Sequence, residues 1–86
     1  MTTIDARLAT HGITLPNPAA PVASYVPATR SGNLLFISGQ ISKSDDAFIS
    51  GQLGTTLDVA AGQDAARICA INLLSQIAAL APLDKV

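Results

Sequence analysis

The feature that most constrains the fold is a short apolar run that ends in three small or polar residues. The run, Leu34-Leu35-Phe36-Ile37, has the composition of a β-strand that enters a pleated interior. Ser38-Gly39-Gln40 follows at once, so the end of the strand presents a hydroxyl, an unshielded backbone and an amide. A rigid sheet can hold such groups against a small ligand. This end of the strand is therefore the candidate site, although Ser-Gly dipeptides also end many strands without any function.

The residues before this run predict a hairpin partner. Residues 22–30 have strand composition, and Pro27 restricts them to a sheet edge or a bulge. Ser31-Gly32-Asn33 has the chemistry of a tight turn, because Gly32 can adopt positive φ. The pattern predicts that residues 22–30 pair antiparallel with residues 34–41.

A short helix and a third strand are predicted on either side of this hairpin. Thr2 or Thr3 can cap a helix that ends at Gly12, since glycine is the usual residue after a last helical turn. A polar loop at residues 42–46 leads to a short strand at residues 47–50.

A long helix is predicted from about Val59 to about Ala81, with Asp58 as its N-cap. At 100° per residue, six small or apolar residues form one stripe that should lie on the sheet. They are Ala66, Cys69, Ala70, Leu73, Ile77 and Leu80. Three polar or charged residues should face solvent on the far side. They are Asp64, Arg67 and Ser75.

The predicted elements carry more apolar surface than they can bury. Ile68, Ile71 and Leu74 flank the stripe and are too apolar for an exposed helix. Residues 82–86 have the composition of a turn into another strand. We therefore expect residues 1–86 to be a single but truncated domain, or one that completes its sheet with another chain. As a free monomer it should be poorly soluble or marginally folded.

Composition excludes several classes of function. Five basic and six acidic residues give a net charge of −1, which argues against a nucleic-acid partner and against an anionic membrane surface. The single cysteine, Cys69, allows no intrachain disulfide, and a cytoplasmic location is the default. With one histidine and one cysteine on different elements, no metal site is expected. A catalytic set of Ser38, His11 and Asp45 has nothing in the pattern to support it.

Tyr25 is the other residue of interest, as the only tyrosine of the chain. On the residues alone, a tyrosine half-buried at a sheet edge is favoured over a functional one. Cys69 is favoured as a small buried hydrophobic residue. Arg30 reads as a solvated hairpin charge, and Arg67 with Asp64 reads as a weak surface pair.

Several segments, taken together in their order and spacing, resemble the Rid family. This is the family of reactive-intermediate deaminases, also called the YjgF family and often labelled endoribonuclease L-PSP or translation inhibitor. The N-terminal helix resembles that of its longer subgroup. The segments are Ala20–Ala28, Ser31–Gln40, Gly51–Gly54, Ala60–Arg67 and Asn72.

The resemblance implies an α+β, chorismate-mutase-like fold, with helices on one face of a mixed sheet. Here the fold would be incomplete, with about three strands, a short N-terminal helix and one long helix. Members of the family are homotrimers with ligand clefts between subunits, which would account for the surplus apolar surface.

The resemblance also implies an activity, the hydrolysis of reactive enamines and imines of the 2-aminoacrylate type to 2-oxo acids and ammonia, without a cofactor. The family's tyrosine matches Tyr25, and its small cleft residues match Ser38 and Gly39. The arginine that clamps the substrate carboxylate has no counterpart in this chain. A non-catalytic small-molecule-binding or scaffolding trimer therefore stays open as an alternative. Ribonuclease activity is disfavoured by the acidic balance and the lack of a basic stripe.

Overall fold

Two helices and two small antiparallel hairpins make up the described part of the chain. The computed structural model describes residues 3–18, 20, 24–45 and 47–86. The elements in chain order are α1 (Ile4–Thr10), β1 (Ala28–Ser31), β2 (Leu34–Ile37), β3 (Lys43–Ser44), β4 (Ala47–Phe48) and α2 (Val59–Leu80), followed by a 3-10 turn at Leu83–Lys85.

The predicted first hairpin is confirmed, but both strands are shorter, and β2 ends at Ile37 rather than at residue 41. Pairing of β1 with β2 runs from Ala28↔Ile37 to Ser31↔Leu34, and Gly32 in the turn has a φ of +59°. The prediction that the strand begins at residue 22 is wrong for residues 24–27, and residues 22 and 23 lie outside the described residues. The ladder stops because Pro27 has no N–H to donate, although its carbonyl still accepts from the Ser38 N–H at 2.9 Å.

The second hairpin lies where the sequence predicted a polar loop. Lys43 pairs with Phe48, and Ser44 pairs with Ala47. Asp45 makes the turn possible with a φ of +53°, a conformation that Asp tolerates better than most residues. The predicted third strand at residues 47–50 is present as the two residues of β4. Within the described residues, the strands thus form two separate two-stranded sheets.

Both helices begin at side-chain caps, as predicted. The Thr3 Oγ1 atom accepts from the Ala6 N–H at 3.1 Å, and the Asp58 Oδ1 atom accepts from the Ala61 N–H at 2.8 Å. Gly12 follows α1 with a φ of +68°, as its predicted role requires. The alternative cap, Thr2, lies outside the described residues.

The C-terminal residues return to the start of α1. The Asp84 Oδ1 atom accepts from the Ile4 N–H at 2.7 Å, which places a carboxylate at the positive end of that helix. The residues of this segment, predicted as a turn into a strand, form the 3-10 turn Leu83–Lys85.

The predicted orientation of α2 is wrong in part, because Asp64 and Arg67 are exposed as predicted but Ser75 is not. Ser75 was expected to face solvent, yet only 3% of it is exposed, and Asn72 and Gln76 are buried with it. On the predicted inner stripe, Leu73 and Leu80 are 37% and 49% exposed. The helix turns this polar group inward because Asn72 hydrogen-bonds to the backbone of the segment that follows β2.

The surplus of apolar surface that the sequence indicated is present in the structure. Among residues 3–18, 20, 24–45 and 47–86, no apolar side chain is fully buried. On β2, Leu35 and Ile37 are half-buried, while Leu34 and Phe36 on the opposite face are 62% and 57% exposed. Of the helices in these ranges, none combines the length and hydropathy that a membrane span would need.

Candidate functional site

A cleft of about 690 Å³ opens where β2 ends, between the first hairpin, the second hairpin and α2. We call it the Ser38 cleft. One wall comes from the extended segment after α1, and the other comes from the middle of α2 through Ile68 and Ile71. The polar residues that matter for its chemistry are Tyr25, Ser38, Gln40, Lys43, Asp45 and Asn72.

The three residues selected from the sequence all line this cleft. Ser38 and Gly39 lie at the exit of β2, and Tyr25 lies in the bend before Pro27. Tyr25 is 42% exposed, and it is not part of a strand as the sequence had predicted. The pairing of Pro27 with Ser38 brings the two segments together, although Tyr25 and Ser38 are 13 positions apart in the sequence.

Ser38 is held firmly by the neighbouring strand. Its N–H and its Oγ–H both donate to the Pro27 carbonyl, at 2.9 and 3.1 Å. Because the hydroxyl hydrogen is committed there, Oγ can act toward a ligand only as an acceptor, through its two lone pairs. Gln40 adds a 3.3 Å hydrogen bond from its Nε2 atom to the Ser38 carbonyl. Ser38 is therefore arranged to accept a hydrogen bond from water or a ligand. Among the described residues, no side chain that could act as a base hydrogen-bonds to its Oγ atom.

The Ser38, His11 and Asp45 set is not assembled around the cleft. Asp45 does line the cleft, but His11 is the exposed C-cap of α1 and does not. A nucleophilic serine needs its base within hydrogen-bond reach. The geometry therefore gives no support to a hydrolase triad.

Gly39 leaves part of the cleft wall without a side chain. A Cβ atom placed on it would meet no atom within 4 Å. The packing of the described chain therefore does not require glycine here. The missing side chain matters for the cleft, because a ligand can approach the Gly39 backbone closely.

Asn72 is a site residue to which the sequence gave no role. Its Nδ2 atom donates to the Ile41 carbonyl at 2.9 Å and to the Lys43 carbonyl at 3.0 Å. These bonds tie α2 to the segment between β2 and β3, which forms part of the cleft. The sequence did contain a signal for this role, which is an asparagine in the middle of an alanine-rich apolar helix. A buried amide needs hydrogen-bond partners.

Two opposite charges, Lys43 and Asp45, line the same cleft. The sequence predicted a polar loop for both residues, and it linked Asp45 to Ser38 only through the unsupported catalytic set with His11. The second hairpin brings both residues to the cleft. Within the described segments, no group of three or more histidine, cysteine or acidic residues is positioned to hold a metal ion.

This arrangement suits a small polar ligand. Ser38 provides an acceptor, Tyr25 a phenol that can donate or accept, and Lys43 a positive charge. Ile68 and Ile71 add apolar wall, and Gly39 gives access to the backbone. Such a mixture of apolar walls and a few polar groups is typical of small-molecule sites.

Comparison with known proteins places this geometry in a wider context. No family model matches the sequence. The chain is 47% identical to Protein TCP17 of Trypanosoma cruzi over 85 residues, which cover 96% of this chain and 53% of that protein. The chain thus spans about half the length of this curated relative.

Two solved structures share its fold. A candidate endoribonuclease from Shewanella oneidensis MR-1 superposes with a TM-score of 0.85 at 32% identity, covering 94% of this chain and 55% of that one. The protein Atu1372 of unknown function from Agrobacterium tumefaciens gives 0.76 at 44% identity, covering 90% and 46%. The chain therefore has an α+β fold of the chorismate-mutase-like, Rid-like type.

Proposed function

We propose that the protein carrying this chain is a Rid-family deaminase that hydrolyses small reactive enamines and imines to 2-oxo acids and ammonia. One observation carries the proposal: Tyr25, Ser38 and Gly39 line a single cleft. The resemblance to the family points to the same three residues, as its tyrosine and its small cleft residues. The Rid-like fold is consistent with the same assignment.

The reaction needs a positioned water and a route for protons. Water adds to the carbon of the C=N bond, the nitrogen takes a proton, and collapse of the resulting carbinolamine releases ammonia and leaves the 2-oxo acid. In this proposal the Tyr25 hydroxyl orients the water or the substrate. The Ser38 Oγ atom accepts from the substrate nitrogen or from the water, because its own hydrogen is directed at the Pro27 carbonyl.

Assembly into a homotrimer is part of the proposal. Its support is the apolar surface that the described chain leaves uncovered, including Leu34, Phe36 and Phe48 at 55 to 62% exposure. A cytoplasmic setting is proposed as well, since Cys69 is a free thiol.

The test is a coupled assay of imine hydrolysis on the intact protein. An amino-acid oxidase generates the imine, and semicarbazide trapping reports how much of it survives. Tyr25→Phe should lower the rate at least about tenfold, because it removes the group that positions the water. Thr29→Val, which removes a hydroxyl from an exposed strand residue outside the cleft, should leave the rate unchanged. A wild-type rate no higher than background would refute the proposed activity.

A second candidate function is favoured by one observation. The described lining of the cleft contains no histidine, cysteine, glutamate or arginine, and Asp45 is its acidic residue. A cleft with few proton-transfer groups suits a non-catalytic trimer that binds 2-oxo acids or related small molecules. Binding without turnover in the same protein would establish this candidate, and turnover would eliminate it.

A further inference from the structure

Two residues of opposite charge line the Ser38 cleft, and the sequence did not indicate that Lys43 is one of them. Lys43 is the basic residue and Asp45 the acidic residue of its described lining. We propose that Lys43 is an anion anchor of this cleft and that it binds the carboxylate of a small ligand. The identity of that ligand as a 2-oxo or 2-imino acid depends on the proposed function, whereas the preference for an anion does not.

The backbone of Lys43 is fixed on two sides. Across the second hairpin it pairs with Phe48, and its carbonyl accepts the Asn72 Nδ2–H at 3.0 Å. Asn72 is only 9% exposed, so this bond is shielded from competing water. The root of the side chain is therefore held in place, while its exposed four-carbon stem can adjust the ammonium group to a ligand.

The charge of Lys43 has no structural use in the described chain. Its ammonium group donates no hydrogen bond to any described residue and forms no ion pair with Asp45. For the charge itself to stabilise the fold, it would need such a partner. A lysine that lines a cleft and lacks such a partner is available to an incoming anion.

Asp45 gives the proposal a second, opposite consequence. The Asp45 carboxylate repels an anionic ligand in the same cleft. This repulsion weakens the binding of a ligand carboxylate at Lys43. Removing the charge of Lys43 should weaken anion binding, and removing the charge of Asp45 should strengthen it. A cleft that binds small molecules without regard to charge would show neither effect.

Isothermal titration of the intact protein with pyruvate and with pyruvamide tests this. The two ligands have similar shapes, but only pyruvate carries a charge. We expect the wild type to bind pyruvate more tightly than pyruvamide. Lys43→Gln should bind pyruvate about tenfold more weakly, because a charge-assisted hydrogen bond is lost, and its affinity for pyruvamide should be unchanged. Lys85→Gln makes the same charge change outside the cleft and should keep the preference. Asp45→Asn should raise pyruvate affinity about twofold to threefold.

Each alternative outcome overturns the anchor. If Lys43→Gln keeps the wild-type preference, another group binds the carboxylate. If the wild type binds neither ligand, or both equally, the cleft has no anion anchor. The imine assay separates these failures from a failure of the proposed function, since turnover in the wild type would preserve the function and eliminate only the role of Lys43.

Discussion

Replacement of Asn72 tests the link between α2 and the cleft. Asn72→Leu keeps the size of the side chain but removes both Nδ2 hydrogen bonds, at 2.9 and 3.0 Å, from part-buried carbonyls. Each lost bond costs about 1 kcal/mol, and a carbonyl left without a partner adds to this. We therefore expect the free energy of unfolding to fall by about 2–3 kcal/mol. Asn72→Asp should cost at least as much, because a carboxylate would face two carbonyl oxygens without a hydrogen to donate.

Urea denaturation of the intact protein, followed by far-ultraviolet circular dichroism, measures this change. Gln63→Leu is the matched control, since it places leucine at an exposed position of the same helix. It should change the unfolding free energy by less than about 0.5 kcal/mol. Pyruvate affinity should fall in Asn72→Leu, because the Lys43 backbone loses its support. Equal stability of Asn72→Leu and the wild type would show that this amide does not hold the cleft together.

Three further predictions concern α2. Ser75→Lys should destabilise the protein by about 3 kcal/mol or prevent folding, because Ser75 is 3% exposed, whereas Ala66→Lys on the exposed face should be neutral in a thermal melt; equal melting temperatures would contradict the observed helix orientation. Asp58→Ala should cost about 1 kcal/mol by loss of the N-cap, measured by urea denaturation against Asp64→Ala, and an equal effect of both variants would argue against capping. Gly62→Ala should gain up to about 1 kcal/mol of helix propensity when Leu53→Ala is also present and less when Leu53 must move aside, because the new Cβ would lie 2.5 Å from the Leu53 Cδ2 atom; additive effects in the double-mutant cycle would contradict that contact.

The elements that the sequence predicted well are those set by local chemistry. Asp58 and Thr3 cap their helices, and Gly32 takes positive φ, because each role depends on the residue and its immediate neighbours. The exit of β2 was likewise recognisable from its run of apolar residues followed by Ser38 and Gly39. The sequence alone therefore indicates the candidate site.

The orientation of α2 could not be predicted in this way. Helical periodicity assumes that the most apolar stripe faces the sheet. Here the buried face is set by Asn72, whose partners are 29 and 31 positions away in the sequence. The sequence also did not predict the second hairpin. Its turn depends on the positive φ of Asp45, and the polar residues around Asp45 do not specify that conformation. For these reasons the sequence did not indicate the positions of Lys43 and Asn72 at the cleft.

The most direct test of the account is to map where a 2-oxo acid binds. Pyruvate titrated into the ¹⁵N-labelled intact protein should shift the amide resonances of Ser38, Gly39 and Gln40 with a single saturating affinity. Gly39→Leu should abolish these shifts without lowering the melting temperature, because a Cβ at this position meets no atom of the described chain. Shifts confined to residues outside the cleft, or saturation unchanged in Gly39→Leu, would contradict the claim that the exit of β2 is the ligand site.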